Sequence, residues 1–169
     1  VDRQGFSVEA EHVVGISHLS IAYGLGYSAQ FYHGNLRIDV AENGTQSIVD
    51  LTGRDFISNR FATEYLDATL EFRYRGKVNR NGRYNRLYLG GTFGYRTDSY
   101  SYYKDEIYQV KYYHVAGFNP IRYGLHVKAG RGPVNGYVHY GLSAIVVDGA
   151  MLPQWSEARP LSVGLSLTL

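Results

Sequence analysis

His18 and Ser20 stand two apart in His18-Leu19-Ser20, the residue types of a general base and a hydroxyl nucleophile. Ester hydrolysis by such a pair needs the imidazole within hydrogen-bond reach of the hydroxyl, and a carboxylate to orient the ring. Residues two apart on a strand share a face, so proximity is met. The face they share, however, is the one opposite Leu19 and Ile21, where the small and polar residues gather.

A second constellation is ionic. Glu71, Arg73, Arg86, Arg96, Arg122 and Lys128, with Glu9, Glu11 and Asp67, all fall on the polar side of alternating segments. Charges arranged this way line a narrow pore or, in a small barrel, pair with one another and fill the interior. Pairing is the expectation, because an unpaired buried charge costs several kcal/mol. His114, His126 and His139 follow no metal-ligand spacing, so no metal and no cofactor is expected. No glycine-rich phosphate loop leads from a strand into a helix. Zero cysteines exclude a disulfide framework and a thiolate site. Net charge is +2 with both signs scattered, and no basic stripe is interleaved with aromatics, so nucleic acid is not an expected partner.

The elements that carry these residues are strands. The segment 161–169 sets Leu161, Val163, Leu165 and Leu167 against Ser162, Gly164, Ser166 and Thr168, which in a strand gives one apolar and one small polar face. The same period-two pattern predicts strands at about 4–14, from His18 to about Arg37, at 62–75, 83–97, from near Val110 to Ala129, and at 134–147. In the third of these, Leu66, Ala68, Leu70, Phe72 and Tyr74 oppose Tyr65, Asp67, Thr69, Glu71, Arg73 and Arg75. No oily sandwich core accepts that many ionised groups unpaired. The face expected to meet lipid comprises Leu66, Leu70, Leu89, Phe93, Leu125, Leu142, Val163, Leu165 and Leu167.

Connections alternate in length. Tight turns are predicted at 15–17, 76–82 and 130–133, and long polar stretches at 39–61, 98–106 and 148–159. Asn43-Gly44 is a turn signal within the first of these, and the stretch from 98 to 108 is rich in tyrosine. Short and long connections alternate in this way in outer-membrane barrels, with the long loops outside. A mean hydropathy of -0.27 is compatible with this, since a barrel strand gives only alternate residues to lipid. The 17 tyrosines suit both strands and the membrane–water interface. The expected fold is therefore an all-β, antiparallel, up-and-down transmembrane barrel forming one domain over 1–169. Seven strands are visible, and bacterial single-chain barrels close with an even number, so an eighth strand is expected ahead of Val1.

Particular residues carry a family resemblance. Phe118-Asn119-Pro120-Ile121-Arg122-Tyr123-Gly124-Leu125, Gly130-Arg131-Gly132-Pro133 and Arg159 to Leu167 resemble the outer-membrane β-barrel family of the Bacteroidota, the PorT-like barrels. Leu89 to Arg96 is similar to that family's middle strands, and Tyr23 to Tyr27 to its third strand. The resemblance covers about 18–169 and implies eight strands, residence in the outer membrane of a Gram-negative bacterium and, for some members, a part in type IX secretion. It implies no catalytic residues. Leu169 departs from the aromatic terminus of many barrels. The function expected is a non-enzymatic accessory or scaffold subunit, in contact with lipid and lipopolysaccharide and with a larger outer-membrane protein. A lipid A-modifying hydrolase using Ser20, or a narrow pore, is the competing reading. Gly90, Gly91, Gly94, Gly24 and Gly26 lower bulk on two strands; of these only Gly91 falls on the outward face, and the others are read as making room for large inward neighbours such as Tyr88 and Arg86.

Overall fold

A computed structural model describes residues 2–14, 18–80, 82–147 and 157–168. Every regular element in it is a strand. They are β1 (Asp2–Val13), β2 (Leu19–His33), β3 (Leu36–Val40), β4 (Gln46–Asp50), β5 (Ser58–Arg75), β6 (Asn85–Lys104), β7 (Gln109–Tyr113), β8 (Ile121–Arg131), β9 (Val134–Gly141) and β10 (Leu161–Leu167). One antiparallel sheet runs in the order β1-β2-β5-β6-β8-β9-β10, with β7 paired to the far end of β6. This sheet is curled into a half-barrel. Among the described residues nothing pairs with the free edge of β1 or of β10. A cleft of about 940 Å³ opens between them, lined by Ser7, Glu9 and Glu11 on one side and Ser162, Gly164 and Ser166 on the other.

Alternation decides which side chain goes where. On β5, Asp67, Glu71 and Arg73 are buried on the concave side, while Leu66, Leu70 and Phe72 are exposed on the convex side. Leu89, Phe93, Leu125, Val163, Leu165 and Leu167 share that convex face. Polarity is thus inverted relative to a soluble domain: Phe72 is 60% exposed and its neighbour Glu71 1%. From Leu66 to Tyr74 the apolar run covers roughly 26 Å along the strand at about 3.3 Å per residue.

Several boundaries differ from the sequence expectation, each for a local reason. The strand predicted to run to Arg37 ends at His33, and the stretch read as polar loop contains the β3–β4 hairpin, turning at Asn43-Gly44. Gly44 takes a φ of 80°, the left-handed region that such a turn requires. The strand predicted at 83–97 continues to Lys104, because the register shifts where Glu64 faces Asp98 while Tyr65 faces Arg96. Thr97 is the extra residue of this bulge, and beyond it the odd-numbered Ser99, Ser101 and Tyr103 are the buried ones. The strand predicted from near Val110 to Ala129 is two strands, β7 and β8, separated by a loop in which His114 has a φ of 56°. The strand predicted at 134–147 stops at Gly141; beyond it Leu142, expected to face lipid, is half-buried, and Val146 is buried. The predicted turn at 15–17, most of the loop at 148–159, and the terminal Leu169 lie outside the described residues.

At the long-connection end an apolar cluster caps the half-barrel. Leu36 and Ile38 of the hairpin pack with Tyr32, Phe61, Val115, Phe118, Ile145 and Val146. The Phe118 ring lies 6.1 Å from that of Tyr32 and 6.0 Å from that of Phe61. An isolated bridge between Phe118 and Val146 ties the cluster to the loop after β9. Burial of these side chains stabilises the extension by about 1.5–3 kcal/mol each.

Candidate functional site

The concave face of the half-barrel is held by two ion clusters, one above the other along the strands. The one nearer the cap centres on Asp67. Arg122 Nη2 donates to its carboxylate oxygens at 2.9 and 2.8 Å, Arg3 reaches it at 3.3 Å and the Ser28 hydroxyl at 2.5 Å. Arg3 also donates to the Tyr137 hydroxyl at 2.7 Å, and the Arg122 guanidinium lies 3.9 Å over the Tyr65 ring. The second cluster centres on Glu71. Arg73 Nε donates to it at 2.8 Å, Lys128 Nζ approaches at 2.6 Å and His126 Nε2 lies at 2.8 Å. Arg73 in turn reaches Glu9 and Glu11 on β1, and Arg75 pairs with Glu11. Strand pairing brings these residues level: β5 lies between β2 and β6, and β8 follows β6, so Glu71, Gly90 and His126 form one row.

Glycine makes the row possible. A Cβ on Gly90 would fall 2.6 Å from His126 Nε2, and one on Gly94 only 2.4 Å from Asp67 Oδ1. The large inward neighbours these glycines accommodate are therefore His126, Asp67 and Arg122, where the sequence pointed to Tyr88 and Arg86. A Cβ on outward Gly91 would meet only the Gly124 carbonyl, at 3.8 Å.

Of the residues expected in the polar network, Glu71, Arg73, Arg122 and Lys128 join in ion pairs. Among the described residues Arg86 and Arg96 do not. Arg86 bonds the Thr168 carbonyl at 3.2 Å and the Tyr84 hydroxyl at 3.0 Å, and Arg96 donates to the Phe118 carbonyl at 2.6 Å beneath the apolar cap. Sequence reasoning missed Arg3, Ser28, His126 and Tyr137 as partners, because each needs a register that alternation alone does not supply. His126 and His139 are directly opposed on β8 and β9, whereas His114 sits in the loop between β7 and β8. Among the described residues no group of three His, Asp or Glu side chains has the arrangement of a metal site.

The hydrolase constellation is not assembled. His18 Nδ1 is 2.9 Å from the Arg75 carbonyl, and the Ser20 hydroxyl donates to Glu11. Each is engaged away from the other.

At the long-connection end the tyrosine-rich stretch is ordered against the hairpin. Arg37 makes a two-point contact with Asp39 at 2.6 Å, bonds the Tyr108 hydroxyl, and lies 4.7 Å over the Tyr103 ring. The Tyr108 amide, joined by that of Ile107, each at 2.8 Å, holds the Asp105 carboxyl below the usual carboxylate range.

Compared with known proteins, the chain matches no family model, no curated protein and no solved structure. What it does must be read from its own surfaces.

Proposed function

We propose that this chain is an outer-membrane β-barrel that works without chemistry, as an accessory or scaffold subunit of a larger outer-membrane complex. The observation that carries the reading is the inverted polarity, with exposed leucine, phenylalanine and valine around the convex face and buried, ion-paired side chains within. An apolar convex face is costly in water and favourable in lipid. Tyr27, Tyr95, Tyr123 and Tyr140 stand toward the long-connection border of that face, where aromatic girdles sit in membrane barrels.

In this reading the half-barrel closes with one more strand. Seven strands paired antiparallel in succession leave β1 and β10 running in the same direction. A strand ahead of Val1, antiparallel to both, fills the cleft between them and brings the count to eight, an even number. The lumen then holds paired side chains rather than water, as expected of so small a barrel. With the interior filled and His18 and Ser20 engaged elsewhere, the useful surfaces are the loops and the lipid-facing wall. The resemblance of residues 118–125, 130–133 and 159–167 to PorT-like barrels supports a secretion or assembly role.

Purification from membranes in mild detergent, with cross-linking and mass spectrometry, tests the subunit reading. Recovery with a larger outer-membrane protein supports it. Migration as a lone monomer with no cross-linked membrane partner overturns it. Lipid A that loses an acyl chain only when Ser20 is intact would replace it with the hydrolase.

A further inference from the structure

The ends of β2, β5, β6 and β7 beyond the Thr97 bulge form an outward sheet face with an unusual composition. Cross-strand pairing sets His33, Arg60, Tyr102 and Lys111 in one row and Phe31, Ala62, Tyr100 and Tyr113 in the next. The Arg60 guanidinium lies 5.5 Å from the Phe31 ring centre and 5.2 Å from that of Tyr102. Lys111 Nζ lies 3.9 Å from the Tyr100 centre and 4.5 Å from that of Tyr113. Two cations are thus held between four rings. Among the described residues neither forms an ion pair, and Arg60 Nε is buried with no hydrogen-bond partner.

We propose that this face is a binding platform for the phosphorylated sugar headgroup of an outer-leaflet glycolipid. The proposal rests on the membrane reading, and it names the ligand that the wall meets at its upper border. The rows lie beyond Tyr27 and Tyr95 of the apolar face, separated from them by the row of Ala29, Glu64 and Asp98, at the height where headgroups stand in a bilayer. Stacking positions each cation over aromatic faces and leaves its outer N–H groups for oxyanions. The flat faces of Tyr102 and Tyr113 add apolar contact for a sugar ring. Carboxylates adjoin the platform, and each is already engaged. Glu64 accepts the Tyr27 hydroxyl, Asp98 accepts the Ser99 amide at 2.7 Å, and Asp2 faces His33 at 3.2 Å. These carboxylates keep their charge, and the part of the face offered to a phosphate is Arg60 and Lys111 with the four rings that hold them.

The test uses the full chain in neutral detergent, with bisphosphorylated lipid A, its dephosphorylated form and inorganic phosphate as probes in native mass spectrometry. Bisphosphorylated lipid A is retained, and retention falls about tenfold in R60Q/K111Q, the loss of about 1.4 kcal/mol of binding. A control, K77Q/R80Q, removes two cations from the opposite end and leaves retention unchanged. Equal loss in both variants, or undiminished retention in R60Q/K111Q, overturns the platform. Displacement by inorganic phosphate as effective as by lipid A also overturns it, since the site would then read phosphate alone. Flotation with lipid vesicles is scored separately: failure of the unsubstituted chain to integrate overturns the membrane reading, whatever the platform does.

Discussion

Arg122 on β8 and Asp67 on β5 stand 55 positions apart and meet across the concave face through Nη2, 2.9 and 2.8 Å from the two carboxylate oxygens, both side chains over nine-tenths buried. β6 runs between their strands and contributes Gly94, which faces Asp67 on one side and Arg122 on the other. The contact is thus a bridge over a glycine, with Arg3 of β1 and Ser28 of β2 completing the carboxylate's partners.

Removing the carboxylate strands two cations. Asp67→Ala leaves Arg122 and Arg3 without their anion and lowers unfolding stability by about 3–5 kcal/mol. The pair D67N/R122Q loses less than Asp67→Ala alone. Urea unfolding of the chain in lipid vesicles measures both; equal losses contradict the cluster.

Gly94→Val drives a side chain into Asp67 and Arg122, where even a Cβ falls 2.4 Å from the carboxylate oxygen. The expected cost is about 1–3 kcal/mol for overpacking. Gly91→Ala, on the opposite face of the same strand, is expected to lie within about 0.5 kcal/mol of the parent. The same unfolding assay orders the two.

On the proposed closed-barrel reading, a lumen filled by ion pairs and capped by the Phe118 cluster is expected to carry no current. Planar-bilayer recording is expected to show no stable ohmic conductance. A reproducible ion-selective channel favours the narrow pore over the plugged barrel.

On the membrane reading, charge on the convex face costs about 2–4 kcal/mol at the bilayer midplane. Leu165, 81% exposed, and its neighbour Ser166 point to opposite faces of β10. Leu165→Arg is expected to impair membrane assembly, and Ser166→Arg to be better tolerated. Heat-modified gel migration of outer-membrane fractions reads the assembled amount.

The alternating strands were legible in the sequence wherever both faces keep a constant character, as along Tyr65–Arg75 and Leu87–Tyr95. Legibility failed where the character changes. At Thr97 the bulge moves the outward positions from odd to even numbers, so Tyr100 and Tyr102 read as loop although they continue β6. The β3–β4 hairpin escaped because each strand is five residues long and its apolar side chains face the cap rather than the wall. Among the site residues, charge and face were legible but partners were not. Arg86 and Arg96 share the concave face with Arg122, yet among the described residues their partners are carbonyls and a tyrosine hydroxyl rather than carboxylates.

The most direct test of the central claim is a scan of nitroxide labels at single cysteines from Tyr65 to Tyr74 in reconstituted vesicles, reading collision with oxygen and with a water-soluble nickel complex. The account predicts a period of two, with Leu66, Ala68, Leu70, Phe72 and Tyr74 accessible to oxygen and shielded from nickel, and Asp67, Glu71 and Arg73 shielded from both. Nickel collision at Leu66, Leu70 and Phe72 as frequent as in water would place the convex face in solvent and contradict the barrel.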